Sequence, residues 1–287
     1  MKMTTLSKQS SREQKFNFWF NAFILAGMLT AIVIVNIFEF QNPDINVLKQ
    51  LIVVTGACMG VLSSVLSANG LLWNFLFGIV NVCICAFTNL DSGNVGQFLQ
   101  HMLYFLPMQF VGLWQWRKRG AGKKDGSGGT TKVRARRLTS KQWLLAAAAW
   151  VVGTAVCYTI LYFIDMESLR AGRISGIEYG KIFLDASVVM LNIIAQILLA
   201  FAFADQWFIW NLVNIFSILL WTNRLMSPAA TSYTLVMVIK YSFYLLNSIN
   251  GLRIWLKLSK ENVEKVEGVD EDTNDINHYI SKHKGCC

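Results

Sequence analysis

The residues best able to do chemistry in this chain are carboxamides, indoles and phenols set at helical spacings. Asn192 and Gln196 are four apart. Trp207, Trp210, Asn211 and Asn214 repeat at intervals of three and four, which makes one stripe on a helix. Asn74 and Asn81 are seven apart, with Trp73 beside the first, and Gln109 follows later with Tyr104. Lys240, Tyr244 and Asn247 share a face, with Tyr241 alongside. Carboxamides pair with amides and sugar hydroxyls. Indole faces stack on a flat ring and favour a cationic one by about 0.5–2 kcal/mol. The set therefore suits holding a neutral or cationic aromatic ring that carries hydroxyl and amide groups. Lys240 is the one cation among these groups and sits uneasily with a cationic ligand. An enzyme would need a nucleophile–base pair, a metal cluster or paired carboxylates at depth, and the sequence offers none.

The elements carrying these residues are membrane helices. Of 287 residues, 54% are hydrophobic and 15% charged, against about 25% charged in a soluble domain. Apolar runs predict eight spans near 18–39, 47–67, 70–89, 96–116, 142–164, 183–203, 206–223 and 229–256. The net charge of +9 concentrates between Arg117 and Lys141, which marks a cytoplasmic loop and not a nucleic-acid site. Lys2, Lys8, Arg12 and Lys15 put the N-terminus on that side, and Arg253, Lys257 and Lys260 agree after eight crossings. Both termini are then cytoplasmic, with 165–182 external. The Gly/Ser/Thr stretch 126–131 reads as a flexible linker, and 259–287 as a polar, partly disordered tail. The polar stretch 1–15 and the long run after it do not make a signal peptide. Cys58, Cys83, Cys85 and Cys157 lie in apolar segments, and no metal-ligand spacing appears, so neither a disulfide framework nor a metal or cofactor site is expected.

An internal repeat organises the spans. Trp73-Asn74 matches Trp210-Asn211, Thr88-Asn89 matches Thr222-Asn223, and Gly112-Leu113-x-x-Trp116 matches Gly251-Leu252-x-x-Trp255. Spans two to four and six to eight form the units. One joining span leaves both units pointing the same way, a parallel repeat. The expected segments are 1–44 with an extra span, 45–117 as the first unit, 118–141 as the basic loop, 142–182 as linker helix and external loop, 183–258 as the second unit, and 259–287 as the tail. No Asp or Glu falls at mid-membrane in either unit, and Asp185 sits at an outer end, which argues against proton coupling. A membrane scaffold is the rival class. Membrane Asn and Gln also serve as bonds between helices, and Trp73 and Trp207 also fit an interfacial belt.

These motifs resemble the PnuC family of bacterial vitamin transporters. The resemblance spans residues 45–258 and rests on Trp73-Asn74-x-x-x-Gly78-x-x-Asn81, on Tyr104 to Trp116, and on Trp207-x-x-Trp210-Asn211-x-x-Asn214. It implies an all-α fold of three-plus-one-plus-three helices with SWEET-like halves, in the bacterial inner membrane. It implies import of nicotinamide riboside by facilitated diffusion, with phosphorylation by a cytoplasmic kinase trapping the product. Relatives taking thiamine or riboflavin are the alternative, and family members form trimers. Carried over, the binding cavity is lined by Gln109, Asn192, Gln196, Trp210, Asn211 and Asn214, with Tyr241 and Tyr244 nearby. Trp210, with Trp73, would stack the pyridinium. Asn192, Gln196 or Gln109 would read the carboxamide, and Asn211, Asn214 and the tyrosines the ribose. Trp73, Asn74 and Asn81 would line an inner gate or brace the fold. The extra first span is expected to stand outside the site.

Overall fold

The computed structural model describes the backbone of residues 2–41, 46–91, 95–124, 129–226 and 232–283, and the side chains of these except 2–10, 95–97, 232–233 and 262–283. The helices are α1 (Lys2–Glu39), α2 (Val47–Ala68), α3 (Asn74–Asp91), α4 (Val95–Gln100), α5 (Leu106–Lys118), α6 (Ser140–Arg170), α7 (Tyr179–Ala200), α8 (Gln206–Leu225) and α9 (Ser232–His283). A π-helical turn, His101–Phe105, joins α4 to α5 without a break. The described residues therefore form eight rods and no strand. The protein is an all-α, multi-pass membrane protein.

Six rods contain stretches long and apolar enough to cross a membrane. The other two are α8 and the rod that ends in α5. The polar stripe of α8 (Trp207, Asn211, Asn214) lowers its hydropathy, and the rod ending in α5 is split into pieces of 6, 5 and 13 residues. Its π turn stands just ahead of Pro107, which has no amide hydrogen to donate, and the Leu106 N–H reaches back five residues to His101. Helix starts follow local chemistry. Asn46 caps α2 by accepting from the Lys49 amide at 3.0 Å. Thr139 and Gln142 form a capping box at the start of α6.

Both ends of α1, the α2–α3 turn, the α5–α6 loop, the α7–α8 turn and the chain beyond Arg253 sort onto two faces of the bundle. The start of α1 meets α9, where Lys257 pairs with Glu13 and Arg253 bonds Asn17. With them lie the described residues of the loop 119–139, which makes this face the basic end. The opposite end holds the end of α1, the start of α2 and the end of α3, the α6–α7 connection and the end of α8.

The loop is more ordered than its composition predicts. Residues 126–128 of the expected flexible linker lie outside the described residues, but Thr131 is bound on both sides: its amide donates to Lys123 O (2.8 Å) and its hydroxyl to Gly120 O (2.6 Å). The segment after it becomes a strap across the basic end. Val133 N donates to Gly70 O (3.0 Å), Arg136 N to Ala202 O (3.0 Å), and Ala204 N back to Arg136 O (2.8 Å). Gly70 holds φ +70°, a backbone that favours glycine, to make that turn. Val133 and Ala135 are buried beneath the strap. Arg137 pairs with the fully buried Asp205 at 3.0 Å, and Asp205 also accepts from Leu138 N at 2.7 Å. Nothing local in the sequence singles out Asp205, because its role exists only once the loop folds back. At the C-terminus, the backbone continues as helix to His283.

Under the strap lies an apolar plug of Phe75, Trp116, Trp207 and Trp255. Trp116 on α5 donates its indole N–H to Leu199 O at the end of α7 (2.8 Å). Trp255 on α9 donates to Ser67 O at the end of α2 (3.0 Å). The two Gly-Leu-x-x-Trp motifs thus make the same bond in reciprocal directions. Each motif glycine is overlain by a ring from the preceding helix: a Cβ at Gly112 would stand 2.3 Å from Phe75, and one at Gly251 2.8 Å from Trp207.

Candidate substrate cavity

The polar residues of α2, α3, α5, α7, α8 and α9 converge on one cavity of about 780 Å³. That is within the range of small-molecule sites, roughly 300–1,000 Å³. Its floor is Ser67, Leu199 and Trp207, above the plug at the basic end. Its mouth is at the opposite end, where Asn36, Gln50 and the exposed Glu39 line it.

Nine of the expected residues share this lining: Asn81, Gln109, Asn192, Gln196, Trp207, Trp210, Asn214, Tyr241 and Tyr244. The other three do not. Asn211 stands behind the wall, where its side-chain oxygen accepts from Ser248 Oγ. Asn74 is buried and turned into its own helix start, donating to Leu71 O at 2.7 Å. Trp73 is 57% exposed on the outer surface, away from the cavity. The matched Trp-Asn pairs therefore part in position. Trp73 lies one step before the start of α3, whereas Trp210 lies a full turn inside α8 and faces inward.

Several of the lining carboxamides are held by their neighbours. Asn81 donates to Gly56 O across to α2 (2.8 Å), and Asn192 to Val188 O within α7 (2.8 Å). Asn214 donates to Ser248 Oγ (3.3 Å). Gln109 fits over Gly78: a Cβ there would meet its side-chain oxygen at 2.6 Å. Tyr104, one turn earlier, donates to Ile193 O (2.6 Å) and ties the π turn to α7. On α9, Lys240 lies 5.4 Å and 5.8 Å from the Tyr241 and Tyr244 ring centres.

Three buried polar atoms around the floor have no partner among the described residues: Gln196 Nε2, Trp207 Nε1 and Asn247 Oδ1. A buried polar atom left unsatisfied costs about 1–3 kcal/mol, so these three are unmet hydrogen-bonding capacity in residues of the lining. Sequence reasoning passed over several lining groups. Ser63, Ser64 and Ser67 on α2 have helical spacing and could have been found by it, but small hydroxyls are common in membrane helices for packing alone. Asn36 and Glu39 lie on α1, which the sequence places outside the site, and Gln50 lies in the first turn of α2. The structure overturns that: α1 walls the cavity from Met28 to Glu39. No group of three His, Cys, Asp or Glu among the described residues could hold a metal ion.

At the basic end, burial and the neighbouring Arg136 and Arg134 push the Arg119 guanidinium below its usual value. Arg119 nonetheless keeps its charge at neutral pH, so the strap surface is strongly cationic.

Residues 50–257 match the family described as nicotinamide mononucleotide transporter. A relative from Neisseria mucosa, nicotinamide riboside transporter PnuC, is 33% identical over 76% of this chain and 75% of its own length. One of the same name from Haemophilus influenzae is 29% identical over 81% of this chain and 89% of its own. Among solved structures, that of the vitamin B3 transporter PnuC overlays with a TM-score of 0.60 at 32% identity, covering 84% of this chain and 92% of the other. With its carboxamide-lined cavity and this similarity along most of its length, the chain belongs to the PnuC family of membrane transporters.

Proposed function

We propose that this protein imports nicotinamide riboside. The observation that carries the reading is the cavity itself: inward-facing Trp210 and Trp207 beside Gln109, Asn192, Gln196 and Asn214, with unpartnered donors and an acceptor at its floor. Nicotinamide riboside is a cationic pyridinium with a carboxamide and a ribose, which is the combination those groups complement. Trp210 stacks the ring, Gln196 with Asn192 or Gln109 reads the carboxamide, and Asn214, Tyr241 and Tyr244 bond the ribose. Asn211 acts indirectly by fixing Ser248.

The units are residues 45–117 and 183–258, joined by α6 and related by an axis along the membrane normal. The reciprocal Trp116 and Trp255 bonds support that relation, because each unit repeats the other's contact. The positive-inside bias supports placing the strap and both termini in the cytoplasm of a bacterial inner-membrane protein. The mouth at Glu39 then faces outward and the plug inward. Transport is uniport by alternating access, with rocking of one unit against the other. Cytoplasmic phosphorylation of the product keeps the gradient inward. Homotrimers remain the expected assembly.

Calorimetric titration of purified protein tests the substrate. Nicotinamide riboside should bind in preference to thiamine and riboflavin, and Trp210→Ala should weaken it by about 1–3 kcal/mol, the range for losing one stacking partner of a base. Unchanged affinity in that variant would overturn the assignment. In proteoliposomes, uptake should equilibrate and not accumulate. A pH or sodium gradient that drives accumulation without a kinase would contradict uniport.

A further inference from the structure

The cavity lining contains two charged side chains among the described residues, Glu39 and Lys240. They sit on different helices. Glu39 ends α1 at the exposed mouth, and Lys240 lies on α9 beside Tyr241 and Tyr244. A cationic substrate entering from the mouth meets the carboxylate first.

Next to Glu39, one turn further in, Asn36 faces Gln50 of α2. Gln50 Nε2 donates to Asn36 Oδ1 at 2.6 Å, and Asn36 Nδ2 donates to Ile32 O at 2.7 Å. The pair spans the rim from α1 to α2 with defined geometry. α1 is not loosely attached there. Ile24 and Met28 are buried against Val61 and Val65, and a Cβ at Gly27 would lie 2.1 Å from Phe243 of α9. The helix therefore closes the seam between α2 and α9 and carries its polar end to the cavity mouth.

We propose that α1 builds an outer vestibule for a cationic ring, with Glu39 supplying the charge and the Asn36–Gln50 pair setting the rim. The proposal rests on the reading of this cavity as the transport site. A carboxylate at an entrance raises the local concentration of cations and loses that effect as salt rises. It acts on capture, so it moves KM and leaves kcat nearly unchanged.

The test compares nicotinamide riboside with its reduced, uncharged dihydro form, which has the same size and hydrogen-bonding groups. In proteoliposomes, Glu39→Gln should raise KM for the cationic riboside about two- to fivefold at low salt, as expected for one screened charge at vestibule distance. The effect should shrink at high salt, and KM for the dihydro riboside should not move. Glu178→Gln, a carboxylate at the same end but outside this cavity, should change neither. Asn36→Val should affect both ribosides alike, because the rim bond does not read charge. An equal shift for both ribosides in Glu39→Gln, or no shift, overturns the vestibule. Wild-type protein that takes up neither riboside overturns the functional reading itself, which separates the two failures.

Discussion

Gln109 and Trp207 are set by glycines, and this gives the sharpest residue-scale expectations. Gly78 leaves room for the Gln109 amide and Gly251 for the Trp207 indole. Gly78→Ala should push Gln109 out of the lining and reduce nicotinamide riboside affinity severalfold, while Gly78→Ser should be no better, because the added atom is the problem. Gly251→Ala should displace an indole and cost about 1–3 kcal/mol by overpacking, read as a lower thermal midpoint in detergent. Much of the lining was legible in the sequence at this scale: Asn192, Gln196, Trp210 and Asn214 stand out as polar groups at helical spacing in apolar runs. What spacing could not separate is Asn211 from Asn214. Both lie on one stripe of α8 and both bond Ser248 of α9, yet only Asn214 lines the cavity. Trp73 was misleading for a related reason. Its match to Trp210 is real in sequence, but it precedes α3 and turns outward.

At the scale of elements, the strap is the part the sequence concealed. Basic composition and Gly-Ser-Gly-Gly read as a solvated linker, since nothing local shows that Val133 and Ala135 will be buried or that Asp205 will wait for Arg137. That pair is a contact between residues 68 apart. Removing the arginine strands a buried carboxylate. Arg137→Ala should therefore cost about 1–3 kcal/mol, the scale for leaving a buried polar group short of a partner, and lower the thermal midpoint. Arg137→Lys should recover part of the loss. Asp205→Asn keeps one acceptor for Leu138 N and should fall between them. If all three variants melt like the wild type, the strap is not pinned in the way the contacts indicate. The first helix is the other element the sequence undervalued. An added span reads as peripheral, and only its packing into the α2–α9 seam makes it a wall.

For the whole molecule, the eight rods were readable from apolar run lengths. The asymmetry of the cavity was not. It arises because α8 faces inward with indoles and carboxamides, while α3 contributes mainly Asn81. The repeat itself has a thermodynamic consequence at the plug. Each indole is rooted in the opposite unit, so parting the units at the basic end ruptures Trp116–Leu199 and Trp255–Ser67 together. The two bonds then behave as one cooperative lock. Trp116→Phe and Trp255→Phe should each shift the balance between outward- and inward-open states, seen as altered alkylation of an introduced cysteine on the plug. The double variant should do little more than either alone, because the second bond has nothing left to hold once the first is gone. Additive effects would mean two independent latches. A carrier locked in this way has few half-open states, so its leak to ions and water is low by construction, with the tightness coming from the duplication and not from any single residue.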